Sequence, residues 1–171
     1  MIIVYQSETG FTQAYAQMLG RAEKLEVCTL AQAKKELEPG SQVVYMGPLM
    51  AGHITGLDQA VRAFQVKAAV AVGMSRPGEG LLRDLGRANY VPGGPIFYLR
   101  GGYAPEKLGW LKRHMVGMVT RSMRRALEEK SCRTPQEQQE LDMLLKGGSY
   151  VSQENLEPVR NFLKGLAQRR G

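Results

Sequence analysis

Apolar residues along the first hundred positions follow two alternating rhythms. Ile2-Ile3-Val4-Tyr5 is an unbroken apolar run, as expected of a strand buried on both faces. Phe11, Tyr15, Met18, Leu19 and Ala22 then recur at helical spacing and predict a helix over 12–22. Further strands are predicted at 26–30, at 43–46 (cut off by Gly47-Pro48), at 68–74 and at 95–99 (ended by Gly101-Gly102). Leu57, Val61 and Phe64 predict a helix over 54–66, and another lies at 81–88. Parallel strands need long crossovers, and every intervening segment is long enough to hold one. The pattern therefore implies an α/β fold with a five-stranded parallel sheet covered on both faces.

The last third changes character, since residues 104–150 show no clear strand. Thr134-Pro135-Gln136-Glu137 matches a capping box with proline at the first helical position, and Gly147-Gly148 would end that helix. Asn155 or Ser152 is expected to cap a last helix, whose Leu156, Val159, Leu163 and Leu166 form one apolar stripe. No linker or internal repeat divides the 171 residues, and a chain of this length fits a single domain over 1–171, with 104–150 as a helical insert.

Charge adds a second layer. Lys and Arg number 23 against 16 Asp and Glu, a net of +7, which suggests an anionic partner: nucleic acid, an anionic membrane surface or an acidic ligand. Five of those charges fall between Glu106 and Arg133, where eight basic residues face three acidic ones. On an ideal helix, Lys107 to Leu127 places Leu108, Leu111, Met115, Val116, Met118, Val119, Met123 and Leu127 on one half. Lys107, Arg113, His114, Arg121, Arg124 and Arg125 fall on the other half, with Trp110 among them. Such a helix either covers the sheet with its apolar half or lies on anionic lipid or an acidic partner. No nucleic-acid recognition module is recognisable, so no specific nucleic-acid partner is expected.

Two cysteines, Cys28 and Cys132, make no disulfide framework, and no zinc spacing exists, so a reduced cytoplasmic setting is the expectation. The opening apolar residues lack a basic leader and read as a strand rather than a signal peptide. The longest later apolar run, Ala68 to Gly73, is far short of a membrane span.

The most specific local feature is Ser7-Glu8-Thr9-Gly10-Phe11-Thr12, at the turn from the first strand into the first helix. A phosphate needs many donors in a small space. This hexapeptide offers three hydroxyls, successive backbone N–H groups and the positive end of a helix dipole. With no Lys or Arg in the loop, oriented dipoles would do the binding. The alternative is a hydroxyl-rich turn that only caps a helix.

Ser7, Thr9, Gly10 and Thr12 fill the four specified places of Ser/Thr-x-Thr-Gly-x-Thr, and in this the sequence resembles the flavodoxin family. The resemblance implies a doubly wound five-stranded sheet of order 2-1-3-4-5 with FMN at the edge where the order switches. It further implies that the flavin ring lies between the loops after the third and fourth strands. The first of these contains Pro48, Leu49, Met50, Ala51, Gly52 and His53, and the second contains Met74, Ser75, Arg76 and Gly78. Neither loop holds an aromatic residue. Leu49 and Met50 would either cover a ring face or sit in the core, His53 is a weak candidate for proton transfer, and Arg76 could offset charge on the reduced flavin.

Gly47, Gly52 and His53, followed by a helix, are similar to a loop of the menaquinone-dependent protoporphyrinogen oxidases, which are flavodoxin-like and carry an insert after the fifth strand. The expected function is an FMN-dependent redox protein working with a partner protein or a quinone. Its enzyme form would be a protoporphyrinogen oxidase of heme biosynthesis. There Lys107, Trp110, Arg113, Arg121, Arg124 and Arg125 would meet an acidic tetrapyrrole or an anionic membrane, placing a cytoplasmic protein at the membrane periphery. A non-catalytic binding module on the same fold is the alternative.

Overall fold

A computed structural model describes residues 1–169, and the chain divides into two compact units. One comprises Met1–Gly101 and the chain from Val151 onward; the other is Gly102–Tyr150, close to the expected insert.

The first unit is built on strands β1 (Ile2–Tyr5), β2 (Val27–Thr29), β3 (Gln42–Met50), β5 (Gln65–Gly73) and β6 (Ile96–Arg100). They are parallel and ordered β2-β1-β3-β5-β6, with the short β4 (His53–Ile54) antiparallel to the end of β3. This is the doubly wound, flavodoxin-like order. The direction of winding reverses between β1 and β3.

Side chains alternate between the two sheet faces, and each face has its own core. On one, Val4, Val43, Tyr45, Ala69 and Ala71 pack with residues of α2 (Leu30–Glu36), α3 (Leu57–Ala63) and α4 (Glu79–Ala88). On the other, Ile3, Val44, Met46, Val70 and Leu99 pack with Tyr15, Ala16 and Leu19 of α1 (Phe11–Glu23). Val159 and Leu163 of α7 (Glu157–Gln168) join that second core. Burial on both faces explains why these strands read as continuous apolar runs.

Several boundaries differ from expectation, each for a local reason. The predicted third strand does not stop at Gly47-Pro48. It continues to Met50, because Gly47 and Pro48 still pair with Ala71 and Val72 of β5. Its register with β1 ends at Tyr5 opposite Met46, so the missing N–H of Pro48 breaks no bond to β1. The Pro48 carbonyl instead accepts the Thr55 N–H at 2.9 Å.

The helix expected over 54–66 is only α3. Its first residues belong to the β3–β4 hairpin, and Val66 belongs to β5. A helix absent from the sequence reading, α2, is started by a capping box between Thr29 and Gln32. The last helix is not capped by a side chain. Ser152 instead accepts the Asn155 N–H at the short turn Glu154–Leu156, and the Asn155 amide is directed elsewhere.

The second unit holds α5 (Trp110–Glu128) and α6 (Pro135–Lys146), which pack on one another. Two-residue strands that the sequence did not suggest, β7 (Gly102–Tyr103) and β8 (Gly148–Ser149), pair antiparallel within it. Lys107 lies in a separate 3-10 turn, Pro105–Lys107, rather than in the basic helix. The expected capping box is present: Thr134 caps α6, with Glu137 reciprocating. The Lys130 ammonium and the Thr134 N–H hold the Glu137 carboxyl down at about 2. Among the described residues, no helix is long and apolar enough to cross a membrane.

Candidate functional site

In a doubly wound sheet, ligands bind beyond the carboxyl ends of the strands where the winding reverses. Here that edge lies beyond β1 and β3. Residues 6–10 after β1, the β3–β4 hairpin and residues 74–78 after β5 all leave the sheet at these carboxyl ends. The first unit thus gathers the three segments that the sequence nominated separately.

The loop after β1 turns into α1 through Gly10, whose φ of +92° lies in the left-handed region that favours glycine. Its N–H donates to the Ser7 Oγ at 3.2 Å, which leaves the Ser7 O–H able to donate outward. The N-cap position of α1 is this glycine, which has no side chain to accept the first N–H groups of the helix. A Cβ placed on Gly10 would meet no atom within 4 Å, so the space in front of it is open. Ser7, Glu8, Thr9 and Phe11 are half-buried. Thr12 is only 2% exposed and belongs to the buried face of α1, which sets it apart from the other nominated hydroxyls.

The segment expected as the loop after the third strand is a tight hairpin. Leu49 and Met50 pair with Ile54 and His53, and only Ala51 and Gly52 form the turn. Their φ values of +48° and +83° make it a turn with both central residues left-handed, the kind that suits the twist of a two-residue hairpin. Leu49 packs partly against the core beside α3, while Met50 lies at the end of the strand, half-buried and outside both cores. Gly47 is required by the fold-back, because a Cβ there would lie 2.6 Å from the Thr55 carbonyl oxygen. His53 is exposed on β4 and is not at a helix N-terminus.

Asn89, which follows α4 and carried no signal in the sequence, clamps this hairpin. Its Oδ1 accepts the Ile54 N–H at 2.8 Å. Its Nδ2 donates to the carbonyls of Gly52 (2.8 Å) and Leu85 (2.9 Å). The side chain is buried and fully partnered, the arrangement that makes a buried amide rigidifying.

The third loop is held from β6. The Tyr98 hydroxyl donates to the Ser75 carbonyl at 2.7 Å, and the Arg100 Nε donates to the Met74 carbonyl at 3.3 Å. In trans peptides the carbonyl and the next N–H point in opposite directions. Anchoring both carbonyls to β6 therefore directs the N–H groups of Ser75 and Arg76 away from it. Burial pushes the Tyr98 phenol well above its usual range despite the nearby Arg100, so it stays a donor at neutral pH. Met74 is half-buried, whereas Ser75, Arg76, Pro77 and Gly78 are exposed.

A further buried link runs beneath these loops. The Tyr15 hydroxyl of α1 donates to the Arg100 carbonyl at 2.6 Å and accepts the Asn155 amide at 2.7 Å. This ties α1, whose first turn follows residues 6–10, to the end of β6 and the turn before α7. An open hollow lined by Gln17, Gly20, Arg21 and Lys24 lies at the other end of α1 and has no part in this edge.

The basic residues nominated as a contact surface behave differently from one another. Arg113 turns back to the 3-10 segment, donating through Nε to the Pro105 carbonyl and through Nη2 to those of Glu106 and Leu108. Arg124 and Arg125 make exposed ion pairs one turn on, with Glu128 (3.4 Å) and Glu129 (3.8 Å). Arg121 is exposed, and Trp110 stands 81% exposed at the start of α5. No protein-family model matches the chain, and no curated protein or solved structure matches it.

Proposed function

We propose that the first unit binds FMN and serves as a flavin-dependent redox protein. The observation that carries this reading is the edge beyond β1 and β3. A helix start with the left-handed Gly10 at its N-cap lies there, with two loops anchored by hydrogen bonds from Asn89, Tyr98 and Arg100. The donor set suits a phosphate monoester: Ser7 and Thr9 offer hydroxyls, and the first turn of α1 offers backbone N–H groups and its dipole.

FMN would supply the electron-transfer chemistry. The chain's part is to anchor the phosphate, to present the Met50–Gly52 hairpin on one side, and to direct the Ser75 and Arg76 N–H groups as donors. Thr12 serves this reading through the packing of α1 rather than as a phosphate ligand.

Two variants test the assignment. Thr9→Ala removes one hydroxyl donor to a charged group and is expected to weaken FMN binding roughly tenfold or more, read by titration of flavin fluorescence. Tyr98→Phe keeps the packing but releases the Ser75 carbonyl. It is expected to weaken FMN by roughly tenfold at most while moving the melting temperature by only a few degrees. Unchanged FMN affinity in Thr9→Ala would count against the phosphate assignment.

The basic α5 favours a finer form of the same reading, in which an acidic tetrapyrrole is the substrate and a quinone the acceptor. A quinone-coupled assay with protoporphyrinogen tests it, and an FMN-loaded protein with no turnover would leave the electron-carrier form standing. Purified protein that takes up no FMN would instead support the non-catalytic module.

A further inference from the structure

Helix α5 has two apolar faces, and only one of them is covered. At ~100° per residue, Val116, Thr120, Met123 and Leu127 fall on one side of the helix. These are the buried or half-buried positions. The Thr120 hydroxyl donates back to the Val116 carbonyl at 2.9 Å and lies 3.4 Å from the Tyr103 hydroxyl of the same unit. Leu111, Met115, Met118 and Val119 form a second strip centred about 120° round the helix, and each is at least half exposed. With Trp110 they account for five of the large hydrophobic side chains that stand exposed among the described residues, gathered within ten positions. Scattered exposed apolar residues need no explanation, but a contiguous strip of them marks an interaction surface.

The charges around the strip decide what would cover it. The helix carries Lys112, Arg113, Arg121, Arg124 and Arg125, and its acidic residues are confined to the C-terminal end, where Glu128 pairs with Arg124 and the following Glu129 with Arg125. His114, Arg121 and Arg125 border the strip on one side and Lys112 on the other. A second copy of the chain is a poor partner, because a two-fold contact would bring two such basic strips together. A helix with an apolar strip between basic borders suits the interface of an anionic bilayer. There the apolar side chains enter the acyl boundary, while the long cationic ones reach back to the headgroups. Trp110, in the first turn of α5 on the basic side of the strip, has the amphipathic ring that favours headgroup level.

We propose that α5 docks the protein on anionic lipid by its Leu111–Met115–Met118–Val119 face, lying in the membrane plane rather than crossing it. This is independent of the flavin reading. It also moves the contact from the arginine-bearing half of the helix to a different set of residues.

Trp110 is the single tryptophan of the chain, so its emission reports on this helix alone. The test is titration of the full-length protein with vesicles of phosphatidylcholine containing roughly a third phosphatidylglycerol, against pure phosphatidylcholine, at low ionic strength. Expected are co-sedimentation with the anionic vesicles only, a blue shift of Trp110 emission, and release on raising salt, as screening shortens the reach of the charges. Met115→Glu combined with Met118→Glu alters only exposed positions. It is expected to lower partitioning roughly tenfold or more with an unchanged far-UV spectrum.

Absence of wild-type binding to the anionic vesicles would overturn the proposal. So would binding that the double variant leaves intact. A concentration-dependent dimer without lipid, abolished by the same variant, would assign the face to a second copy and overturn it as well.

Discussion

Gly10→Asp is expected to abolish measurable FMN binding at a stability cost of only about 1–2 kcal/mol, the strain of a side chain on the left-handed backbone. Aspartate tolerates the left-handed backbone better than other side chains, and Gly10 sits at φ +92° with open space around its would-be Cβ. At the start of α1 a carboxylate complements the helix dipole, which offsets part of that strain. The same negative charge would stand where the phosphate is anchored. Two charges ~5 Å apart at an effective dielectric near 20 repel by about 3 kcal/mol, enough for a loss of more than about a hundredfold. If the loop were only a helix-starting turn, the variant would show that modest loss of stability and nothing else would change. Melting temperature and FMN affinity, measured on one preparation, separate the two cases.

Asn89→Leu is expected to be the most damaging of these substitutions for stability. It removes three hydrogen bonds of 2.8–2.9 Å and leaves the Ile54 N–H without its acceptor inside the protein. An unsatisfied buried donor costs about 1–3 kcal/mol, and with the lost bonds the total should reach about 2–4 kcal/mol. For a chain of this size, that corresponds to a fall of roughly 5–15 °C in melting temperature. Asn89→Asp keeps the acceptor for Ile54 but loses both donors, and should fall between leucine and wild type. The hairpin it clamps carries Met50, Ala51 and Gly52. FMN affinity should therefore fall with the clamp, and more than it does for an equally destabilising core variant remote from the carboxyl edge. Thermal denaturation of the three proteins, each also titrated with FMN, checks both parts.

The fold was legible because burial on both faces left β1, β3 and β5 as near-continuous apolar runs, and because the loops between them were long enough for crossovers. The turn from β1 into α1 was legible for a related reason: the hydroxyls and Gly10 sit between an apolar run and a helical repeat, where position and composition agree. The second loop was not. Gly47-Pro48 reads as a strand terminator, and Ala51-Gly52 lacks the Asn-Gly or Asp-Gly signature of a hairpin turn. Only the pairing of Leu49 and Met50 with Ile54 and His53 identifies the hairpin, and a hydrogen-bonding pattern of that kind leaves no periodic trace.

The positioning residues were hidden for the same cause. Asn89, Tyr98 and Tyr15 act through bonds to residues 35, 23 and 85 positions away, which no local window contains. On α5 the periodicity did report an apolar half. It could not show that the fold covers only the edge carrying Val116, Thr120 and Leu127 and leaves Met115 and Met118 outside.

The central claim is that the edge beyond β1 and β3 binds FMN, and direct titration of the purified protein with FMN tests it. Saturable quenching or a shifted flavin absorption band is expected, at one FMN per chain, with the binding lost in Gly10→Asp. A flavin spectrum and fluorescence unchanged by folded wild-type protein would contradict it.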